Sequence, residues 1–434
     1  MINSELSTDL KLFLDENQIE NKEGRTNKLG NNGRLAVYPK SEGEISKIIK
    51  YADENGRQII ICGKGTKSGF GGLVDTSDIL LSLEKYSGLI EHQVGDMTVT
   101  VKAGTKFTHL QKELAKYGQM IPLDPSYPDD ATIGGVIAAN DSGPKRLGYG
   151  SARDLVIGMK IICADGSINH FGGKVVKNVA GYDMNKLFVG SMGTLGVITE
   201  VTLKLRPIPN YQCIILLSFP NGNLDEIRNF AVTLLDSMME PITLEMINPS
   251  MSQQLFGHAC YTLMICFEDV ESSVHYQVDF VKEIKPINTK FTTLTQADAT
   301  EFWGRFNKLV PNSETEAVLK IGVKNLDVLQ VMREIQIIAD KRNVFIQSHG
   351  GLGHGICQVY VKGSEVDVIK TIQEVRQFTE QLKGYVIVKH SHLGIRRVVD
   401  VWGDKPPYFF ILQGIKNKMD PNKTLNDKRY VGGL

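Results

Sequence analysis

The chain has 434 residues, of which 42% are hydrophobic and 23% charged, and its 49 basic and 49 acidic residues cancel. This length exceeds what a single core usually supports and is typical of two domains. A net charge of zero argues against a nucleic-acid-binding protein, and the lack of any run of about 18 apolar residues argues against a transmembrane protein.

The N-terminal segment and the cysteines both favour the cytoplasm. Residues 1–25 are charged throughout and contain no apolar signal core. The six cysteines are scattered, without a C-x-x-C pair. A disulfide framework is therefore not expected, and neither is an iron–sulfur cluster bound by this chain alone.

In chain order, the first predicted element is an amphipathic helix over residues 42–56 that stops at a glycine. Residues 57–72 read as a strand that runs into a glycine loop. A second amphipathic helix is predicted over residues 107–118. Residues 154–171 read as a hairpin with Asp165 and the following glycine at the turn.

After Pro207 and Pro209 the composition of the sequence changes: glycine becomes rare, and predicted strands alternate with predicted helices. We therefore predict two domains, residues 28–208 and residues 209–434. The second is expected to be an α+β sheet with helices on one face, built from two similar β-α-β units.

The first glycine loop, GKGTKSGFGG at residues 63–72, can point successive backbone N–H groups at one anion such as a phosphate. Its spacing does not fit a Walker loop. A Rossmann fingerprint is excluded because strand and turn residues follow it instead of a helix. The alternative interpretation is a flexible hairpin loop.

Two further stretches are rich in small residues. Residues 123–154 contain GGVIAAN, whose slight side chains let a backbone pack flat against a planar ligand or against another element. Residues 174–209 contain four glycines followed by a strand pattern. Together the three stretches favour a long ligand with phosphates and a ring system. A nicotinamide cofactor is expected on a different scaffold, which leaves flavin adenine dinucleotide (FAD).

These stretches resemble, in the same order, the flavin-binding domain of the vanillyl-alcohol-oxidase/p-cresol-methylhydroxylase superfamily. Within it, the pattern is most similar to the glycolate oxidase group, especially its flavin-binding E subunit. The tail 398–434 resembles the end of that subunit, although residues 426–429 read Asn-Asp-Lys-Arg where asparagine-proline-glycine-arginine is usual. The resemblance spans residues 35–434.

The resemblance implies an α+β chain, in which a two-part FAD-binding domain of the p-cresol-methylhydroxylase type is followed by an α+β cap domain for the substrate. It also implies that a flavin wall starts at Gly193 and is buttressed by residues 178–183. Because Thr66 and Lys67 stand where some relatives carry a histidine, we expect non-covalent FAD. The implied cofactor-binding residues are Gly63, Lys64, Gly65, Thr66, Lys67, Pro125, Thr132, Ile133, Gly134, Gly135, Ala138, Asn140, Gly143, Gly196, Val197 and Ile198.

Relatives that oxidise D-2-hydroxy acids bind a metal through two histidines of a glycine-rich motif. His349 matches the first histidine, but the aspartate, asparagine and second histidine positions are Leu352, His354 and Ile356. We therefore predict no metal. The alternative is a set of loop histidines that are hydrogen-bonded to backbone.

Oxidation of a hydroxy acid needs a group that takes the hydroxyl proton and a cation for the carboxylate. The predicted catalytic residues are His349, His392 and Lys320. Lys320 resembles a lysine beside the substrate in those relatives, although an edge-strand lysine without a role is the alternative. Arg429 is a competing cation near the mouth of the active site.

The resemblance implies oxidation of glycolate or D-lactate by hydride transfer to flavin N5, with the electrons passed to a partner. The expected partners are a separate iron–sulfur subunit and a sister flavoprotein. Through them a cytoplasmic chain would reach the inner membrane. A second interpretation is a flavin-binding assembly or electron-relay subunit whose sister subunit carries the catalysis. A third is a flavin oxidase or reductase of an unrelated alcohol.

Overall fold

The computed structural model describes residues 2–23, 28–74, 76–173, 182–311 and 316–434. The chain forms two compact units. Unit 1 consists of Met1–Ser142, Ser151–Pro207 and Asp400–Leu434, and unit 2 consists of Gly143–Gly150 and Ile208–Val399. The units thus place the tail in unit 1 and the segment 143–150 in unit 2. The division into domains 28–208 and 209–434 stays a prediction.

The strands of the described residues are β1 Ile19–Asn21, β2 Asn32–Val37, β3 Ile59–Cys62, β4 Thr76–Ser82, β5 Leu89–Gln93, β6 Thr98–Lys102, β7 Gln119–Met120, β8 Val156–Ile162, β9 Ile168–Gly172, β10 Val197–Lys204, β11 Arg206–Pro207, β12 Tyr211–Phe219, β13 Thr243–Ile247, β14 Tyr261–Asp269, β15 Lys290–Thr295, β16 Glu316–Gly322, β17 Phe345–Gly351, β18 Ile356–Lys362 and β19 Tyr385–His390.

The helices are α1 Ile2–Leu10, α2 Glu42–Glu54, α3 Phe107–Ala115, α4 Ile133–Ala138, α5 Arg146–Tyr149, α6 Ala152–Leu155, α7 Asn185–Phe188, α8 Leu224–Leu235, α9 Pro249–Phe256, α10 Glu271–Ile284, α11 Gln296–Asn307, α12 Val328–Arg342, α13 Glu365–Gln381, α14 Leu393–Val398 and α15 Phe409–Met419.

Unit 1 contains a four-stranded sheet of order β1-β2-β4-β3 and a five-stranded sheet of order β5-β6-β10-β8-β9. In the first sheet β4 runs parallel to both β2 and β3. All pairs of the second sheet are antiparallel. Residues of both sheets and of α2, α3 and α4 share one hydrophobic core. This core fixes the segments that carry the three glycine-rich stretches.

Local signals in unit 1 explain several predicted elements. The helix predicted over residues 42–56 is confirmed as α2, because Ser41 accepts a hydrogen bond from the backbone N–H of Glu44 at 3.2 Å. Gly56 follows with a φ of +60°, which ends the helix. The predicted hairpin is confirmed as β8–β9, with Gly166 at φ +80° in its turn.

Unit 2 contains one antiparallel sheet of order β15-β12-β14-β13-β17-β18-β16-β19. The first half of the sheet has the order β15-β12-β14-β13. Read from the opposite edge, the second half has the matching order β19-β16-β18-β17. The two halves meet where β13 pairs with β17. The prediction of two similar units is therefore confirmed.

The prediction that helices cover one face of this sheet is wrong. On β12, Ile214 and Leu216 pack with residues of α9 and α11 in one buried cluster. Ile215 and Leu217 alternate with them on the opposite face and are also fully buried, and α10 packs against β12 and β14. The near-continuous apolar run of β12 is typical of a strand covered on both faces.

The α+β fold class is confirmed. Across the described ranges, no helix is both long and apolar enough to cross a bilayer.

Candidate functional site

A cleft in unit 1 has about 760 Å³ of free space, which includes open solvent. Its wall comes from the first glycine loop, α4, the segment before β10 and the C-terminal tail. The lining residues are Asn31, Ile61, Cys62, Gly63, Lys64, Gly65, Thr66, Lys67, Ser68, Leu83, Ala103, Thr132, Gly134, Gly135, Ala138, Ala139, Met192, Gly193, Gly196, Ile198, Asn426 and Arg429.

Two glycines of this wall leave no room for a side chain. A Cβ on Gly63 would lie 2.0 Å from Oγ1 of Thr132, and a Cβ on Gly134 would lie 2.7 Å from the Cβ of Ala103. Real Cβ contacts are essentially never shorter than 3.0 Å. At these two positions the main chain therefore packs directly against the short side chains of Thr132 and Ala103, a close approach that the small-residue run predicted.

The glycine loop has backbone N–H groups available for a ligand. Gly65 adopts a φ of +77°. The N–H groups of Ser68 and Phe70 bond to carbonyls of the loop itself. Those of residues 63–67 donate no hydrogen bond to another described residue. Such a run of N–H groups suits a phosphate.

The two lysines of the loop are occupied by carboxylates. Lys67 Nζ lies 3.1 Å from Asp141, and both side chains are largely buried. Lys64 Nζ donates to Asp130 at 2.7 Å on the surface. Since both ammonium groups already face an acid, the main chain has to supply most of the anion binding.

The tail brings a buried guanidinium to the cleft. Arg429 donates to the carbonyls of Lys67 at 3.0 Å, Phe70 at 3.3 Å and Ile61 at 3.4 Å. It is 6% exposed, and burial lowers its pKa to about 10. Among the described residues, no carboxylate forms an ion pair with Arg429. An anionic ligand in the cleft would therefore find a positive charge that no acid of the described residues neutralises.

Asn426 connects the tail to two walls of the cleft. Its Oδ1 accepts from the backbone N–H of Ile61 at 2.7 Å, and its Nδ2 donates to the carbonyl of Met192 at 2.6 Å. Gly193 has to be a glycine beside it, because its φ is +74° and a Cβ would lie 2.7 Å from Asn426 Nδ2. The tail therefore completes the cleft, and sequence reasoning missed this role of Asn426.

An orphaned atom provides a test of whether a cofactor fits. Asn31 Nδ2 donates to the carbonyls of Ser68 and Phe70, whereas Asn31 Oδ1 is buried without a partner among the described residues. A nitrogen-bearing ring with an N–H donor would satisfy it. This acceptor, the free N–H groups and the bare glycines fit a dinucleotide.

Most of the predicted cofactor-binding residues lie in this wall. The cleft collects Gly63, Lys64, Gly65, Thr66, Lys67, Thr132, Gly134, Gly135, Ala138, Gly196 and Ile198. Their contacts with a cofactor remain predictions.

The other five do not line the cleft. The side chains of Ile133 and Val197 belong to the hydrophobic core, and Pro125 is buried away from the wall. Asn140 follows α4 in a left-handed conformation with φ +46°, and Gly143 belongs to unit 2. Of the predicted buttress 178–183, residues 178–181 lie outside the described residues.

In unit 2 the sheet brings two predicted catalytic residues into one row. His349 on β17 pairs with Gln358 on β18, which pairs with Lys320 on β16. Directly paired residues project from the same face, and adjacent strands are ~4.8 Å apart. His349 and Lys320 therefore share one face, about 10 Å apart at the backbone, by the same spacing.

Glu245 on β13 holds His349 and His354 together. Its carboxylate lies 2.7 Å from His349 Nδ1 and 3.0 Å from His354 Nε2, and it is almost fully buried. Burial by itself raises the pKa of Glu245, but the hydrogen bonds from the two histidines outweigh it, so that the pKa is lowered overall. Glu245 is therefore an ionised acceptor. Sequence reasoning missed it, because nothing in LEMIN marks a functional carboxylate.

The hydrogen bonds assign the protons of this cluster. His354 Nδ1 accepts from the backbone N–H of Ile356 at 3.2 Å, so the ring hydrogen that faces Glu245 is on Nε2. His349 donates through Nδ1, which leaves Nε2 as the free base, 3.3 Å from the hydroxyl of Tyr360. The cluster can accept one proton, on His349 Nε2.

His392 lies elsewhere in unit 2. It caps α14, where its Nδ1 accepts from the backbone N–H of Gly394 at 3.1 Å, and its Nε2 lies 3.7 Å from Glu365. Among the described residues neither a hydrogen bond nor an ion pair joins it to His349 or Lys320. The structure therefore brings together two of the three predicted catalytic residues.

A second charged cluster of unit 2 escaped the sequence analysis. Glu268 on β14 accepts from Lys145 Nζ and from the hydroxyl of Tyr149, both at 2.5 Å. Lys145 also lies 5.1 Å from the ring centre of Trp303, and the Trp303 ring packs edge-on against Phe306, which contacts His349.

In the part of the chain that the structure describes, no group of three or more His, Cys, Asp or Glu residues is arranged to hold a metal.

Comparison with known proteins identifies the cofactor of the chain. Residues 34–172 match the family described as FAD binding domain. This stretch contains the glycine loop and α4, and the structure fits the cofactor independently. The prediction that the chain binds FAD is confirmed.

The curated relatives include oxidoreductases of 2-hydroxy acids. A D-lactate dehydrogenase of Archaeoglobus fulgidus is 25% identical over 414 residues, 92% of each chain. A mitochondrial D-lactate dehydrogenase [cytochrome] of Arabidopsis thaliana is 30% identical over 64% of this chain and 51% of that protein. Glycolate oxidase subunit GlcE of Escherichia coli is 38% identical over 35% of this chain and 43% of that protein. This chain thus matches about half of the last two proteins.

Solved structures show the same fold. A 4-ethylphenol oxidase from Gulosibacter chungangensis superimposes with a TM-score of 0.78 over 98% of this chain and 96% of that chain, at 14% identity. A p-cresol methylhydroxylase with substrate bound gives 0.76 over 98% and 96%, at 12% identity. The predicted fold, which is that of p-cresol methylhydroxylase, is therefore confirmed.

Proposed function

We propose that this chain is an FAD-dependent dehydrogenase of a small 2-hydroxy acid of the glycolate or D-lactate class. The observation that carries the proposal is the similarity to a D-lactate dehydrogenase along 92% of both chains. The FAD-binding cleft of unit 1 and the charged row of unit 2 agree with it, because such an oxidation needs a flavin, a base and a cation.

In this proposal unit 1 binds FAD non-covalently through the main chain of residues 63–67, α4 and the tail. Bound FAD supplies the acceptor for the hydride of the substrate carbon. Arg429 stabilises the negative charge of the cofactor. Asn426 holds the loop and the segment before β10 at their spacing.

Residues of unit 2 handle the substrate. His349 accepts the hydroxyl proton on Nε2, which the tautomer leaves free. Glu245 orients the ring and balances the charge of the protonated imidazole. Lys320, on the same face, binds the substrate carboxylate. His392 is the second candidate base.

A subunit for assembly or electron relay in a glycolate oxidase complex is the second candidate. The 38% identity to GlcE over 152 residues favours it. In that case a sister flavoprotein oxidises the acid. In both cases the electrons leave through a separate iron–sulfur subunit, because the six cysteines of this chain form no C-x-x-C pair.

The test is anaerobic reduction of the purified, FAD-loaded chain by glycolate, D-lactate and L-lactate. The dehydrogenase proposal expects glycolate or D-lactate to bleach the visible flavin band of the isolated chain. Bleaching that requires a co-expressed flavoprotein would favour the relay candidate. Failure of every acid under both conditions would rule out both candidates.

Lys320→Met sharpens this test. We expect the KM for the bleaching acid to rise about tenfold or more, since a charged hydrogen bond contributes ~1.5–3 kcal/mol, with FAD content unchanged. Lys362→Met, an exposed lysine at the end of β18, is the matched control and should leave KM unchanged. Equal KM values for both variants would remove Lys320 from the site.

A further inference from the structure

A cysteine–histidine pair lies between α9 and β14 of unit 2. Cys260 Sγ is 3.3 Å from His258 Nδ1, and both residues are partly exposed. Phe256 stacks on the His258 ring, with 5.7 Å between ring centres. The pair therefore combines a reachable sulfur with an imidazole in direct contact.

Buried hydroxyl groups fix the orientation of His258. Ser218 Oγ lies 3.4 Å from His258 Nε2, and Ser252 Oγ lies 3.3 Å from Nδ1. Thr262 joins the two serines, at 2.9 Å from Ser252 and 3.1 Å from Ser218. The ring of hydrogen bonds holds the imidazole with Nδ1 towards the sulfur.

This arrangement can hold a thiolate beside an imidazolium. When the proton of Cys260 moves to Nδ1, the new N–H group faces Cys260 Sγ, and the N–H group on Nε2 faces Ser218 Oγ. Every proton of the charged ring then has an acceptor. A thiolate is the form of cysteine that attacks electrophiles, and a nearby protonated histidine favours it.

The other five cysteines lack such a neighbour among the described residues. Burial raises the pKa of Cys62 and of Cys213 to about 11, and it raises the pKa of Cys266 and of Cys357 as well. Cys163 is partly exposed like Cys260, but its described side-chain contact is the amide of Asn169 at 3.2 Å. Cys163 is therefore an internal control for exposure without a base.

We propose that Cys260 is a reactive thiol that forms mixed disulfides with small-molecule disulfides, with His258 as its base. The proton of Cys260 passes to His258 Nδ1, and the thiolate attacks one sulfur of the disulfide. A bond forms between Cys260 Sγ and that sulfur, the original S–S bond breaks, and the other half leaves as a thiolate that takes the proton. Cys260 is oxidised and the small disulfide is reduced.

The site is independent of the proposed dehydrogenase activity, since its residues contribute neither to the FAD cleft nor to the Glu245 cluster. The first experiment is limited alkylation of the FAD-loaded full-length chain by iodoacetamide at pH 7, followed by peptide mass spectrometry at all six cysteines. We expect Cys260 to react about tenfold faster than Cys163. Equal rates at the two residues would overturn the proposal.

The second experiment uses His258→Asn, which keeps a hydrogen-bonding group beside Ser218 but removes the base. We expect the Cys260 rate to fall at least about fivefold while the Cys163 rate stays constant in the same molecules, which also verifies the fold. Glutathione disulfide should add one glutathione to the native chain at Cys260 and none to the Cys260→Ser variant. An undiminished rate in His258→Asn, or addition at another cysteine, would contradict the proposal.

Discussion

The cleft of unit 1 that we propose for FAD and the row of His349, Gln358 and Lys320 in unit 2 are built in opposite ways. The cleft presents backbone, small residues and lysines that are already paired with acids. At one end of the row, the almost fully buried carboxylate of Glu245 on β13 bonds to His349 and His354. The cleft requires positions without side chains, whereas the row requires charged and hydrogen-bonding side chains in the right protonation state.

This difference decides which substitutions each site tolerates. At Gly63 and Gly134 of the cleft, an added methyl group would overlap the side chains of Thr132 and Ala103, so even this small change is damaging. In the row a change of shape matters less than a change of charge, because a buried group that loses its partner is costly. Substitutions that alter one property at a time can therefore break or sharpen the comparison.

The largest effect is expected for Glu245→Ala. It removes the shared acceptor of His349 and His354 and leaves two buried donors without a partner, so the free energy of unfolding should fall by about 3 kcal/mol. Urea denaturation measures this change. Glu301→Ala is the control, because its ion pair with Arg305 is exposed and should change stability by less than ~0.5 kcal/mol.

The same cluster predicts a pH dependence. The pKa of Glu245 in the folded chain is lowered from 4.5. A lowered pKa means that ionised Glu245 stabilises the fold above pH 4.5, and that this contribution decreases as the pH falls through the folded pKa. The stability gap between the native chain and Glu245→Gln should therefore narrow below that pH. A constant gap would show that Glu245 is not ionised in the fold.

The next largest effect is expected for Arg429→Met in the cleft. Loss of its hydrogen bonds to the loop carbonyls frees the glycine loop and removes a positive charge. With ~1.5–3 kcal/mol per charged hydrogen bond, the Kd for FAD should rise about tenfold to a hundredfold. Titration of the apo-chain with FAD measures it. Lys418→Met on the exposed side of α15 should leave the Kd unchanged.

The smallest effect comes from one methyl group. Gly134→Ala places a Cβ 2.7 Å from Ala103, whereas Gly135→Ala meets nothing closer than 3.2 Å, the side-chain oxygen of Thr132. Overpacking costs about 1–3 kcal/mol, so Gly134→Ala should retain clearly less FAD per chain than Gly135→Ala. Equal FAD content in the two variants would show that α4 does not pack as tightly as described.

The glycine-rich stretches could be predicted from the sequence because glycine spacing is local information. The loop at 63–72 and the run around Gly134 both line the cleft, as expected. Five predicted residues lie outside the wall, because neighbours in sequence point in different directions. Val197, for example, faces the core while Ile198 faces the cleft.

Long-range pairings could not be predicted. Lys320 and His349 share a row because three strands pair in one register, and the sequence contains no direct statement of that register. Glu245 precedes His349 by 104 positions, and it was overlooked for the same reason. The histidine-rich segment is visible in the sequence, but the carboxylate that bonds to His349 lies on another strand.

The position of the tail has a consequence for how the protein is made. Asn426 bonds to Ile61, which precedes it by 365 positions, and Arg429 closes the loop that follows. On the ribosome, the proposed FAD-binding wall therefore stays open until Asn426 and Arg429 have been synthesised and have left the exit tunnel. FAD would therefore bind only after these residues have been synthesised, and a chain truncated just before Asn426 should be purified without the yellow colour of bound FAD.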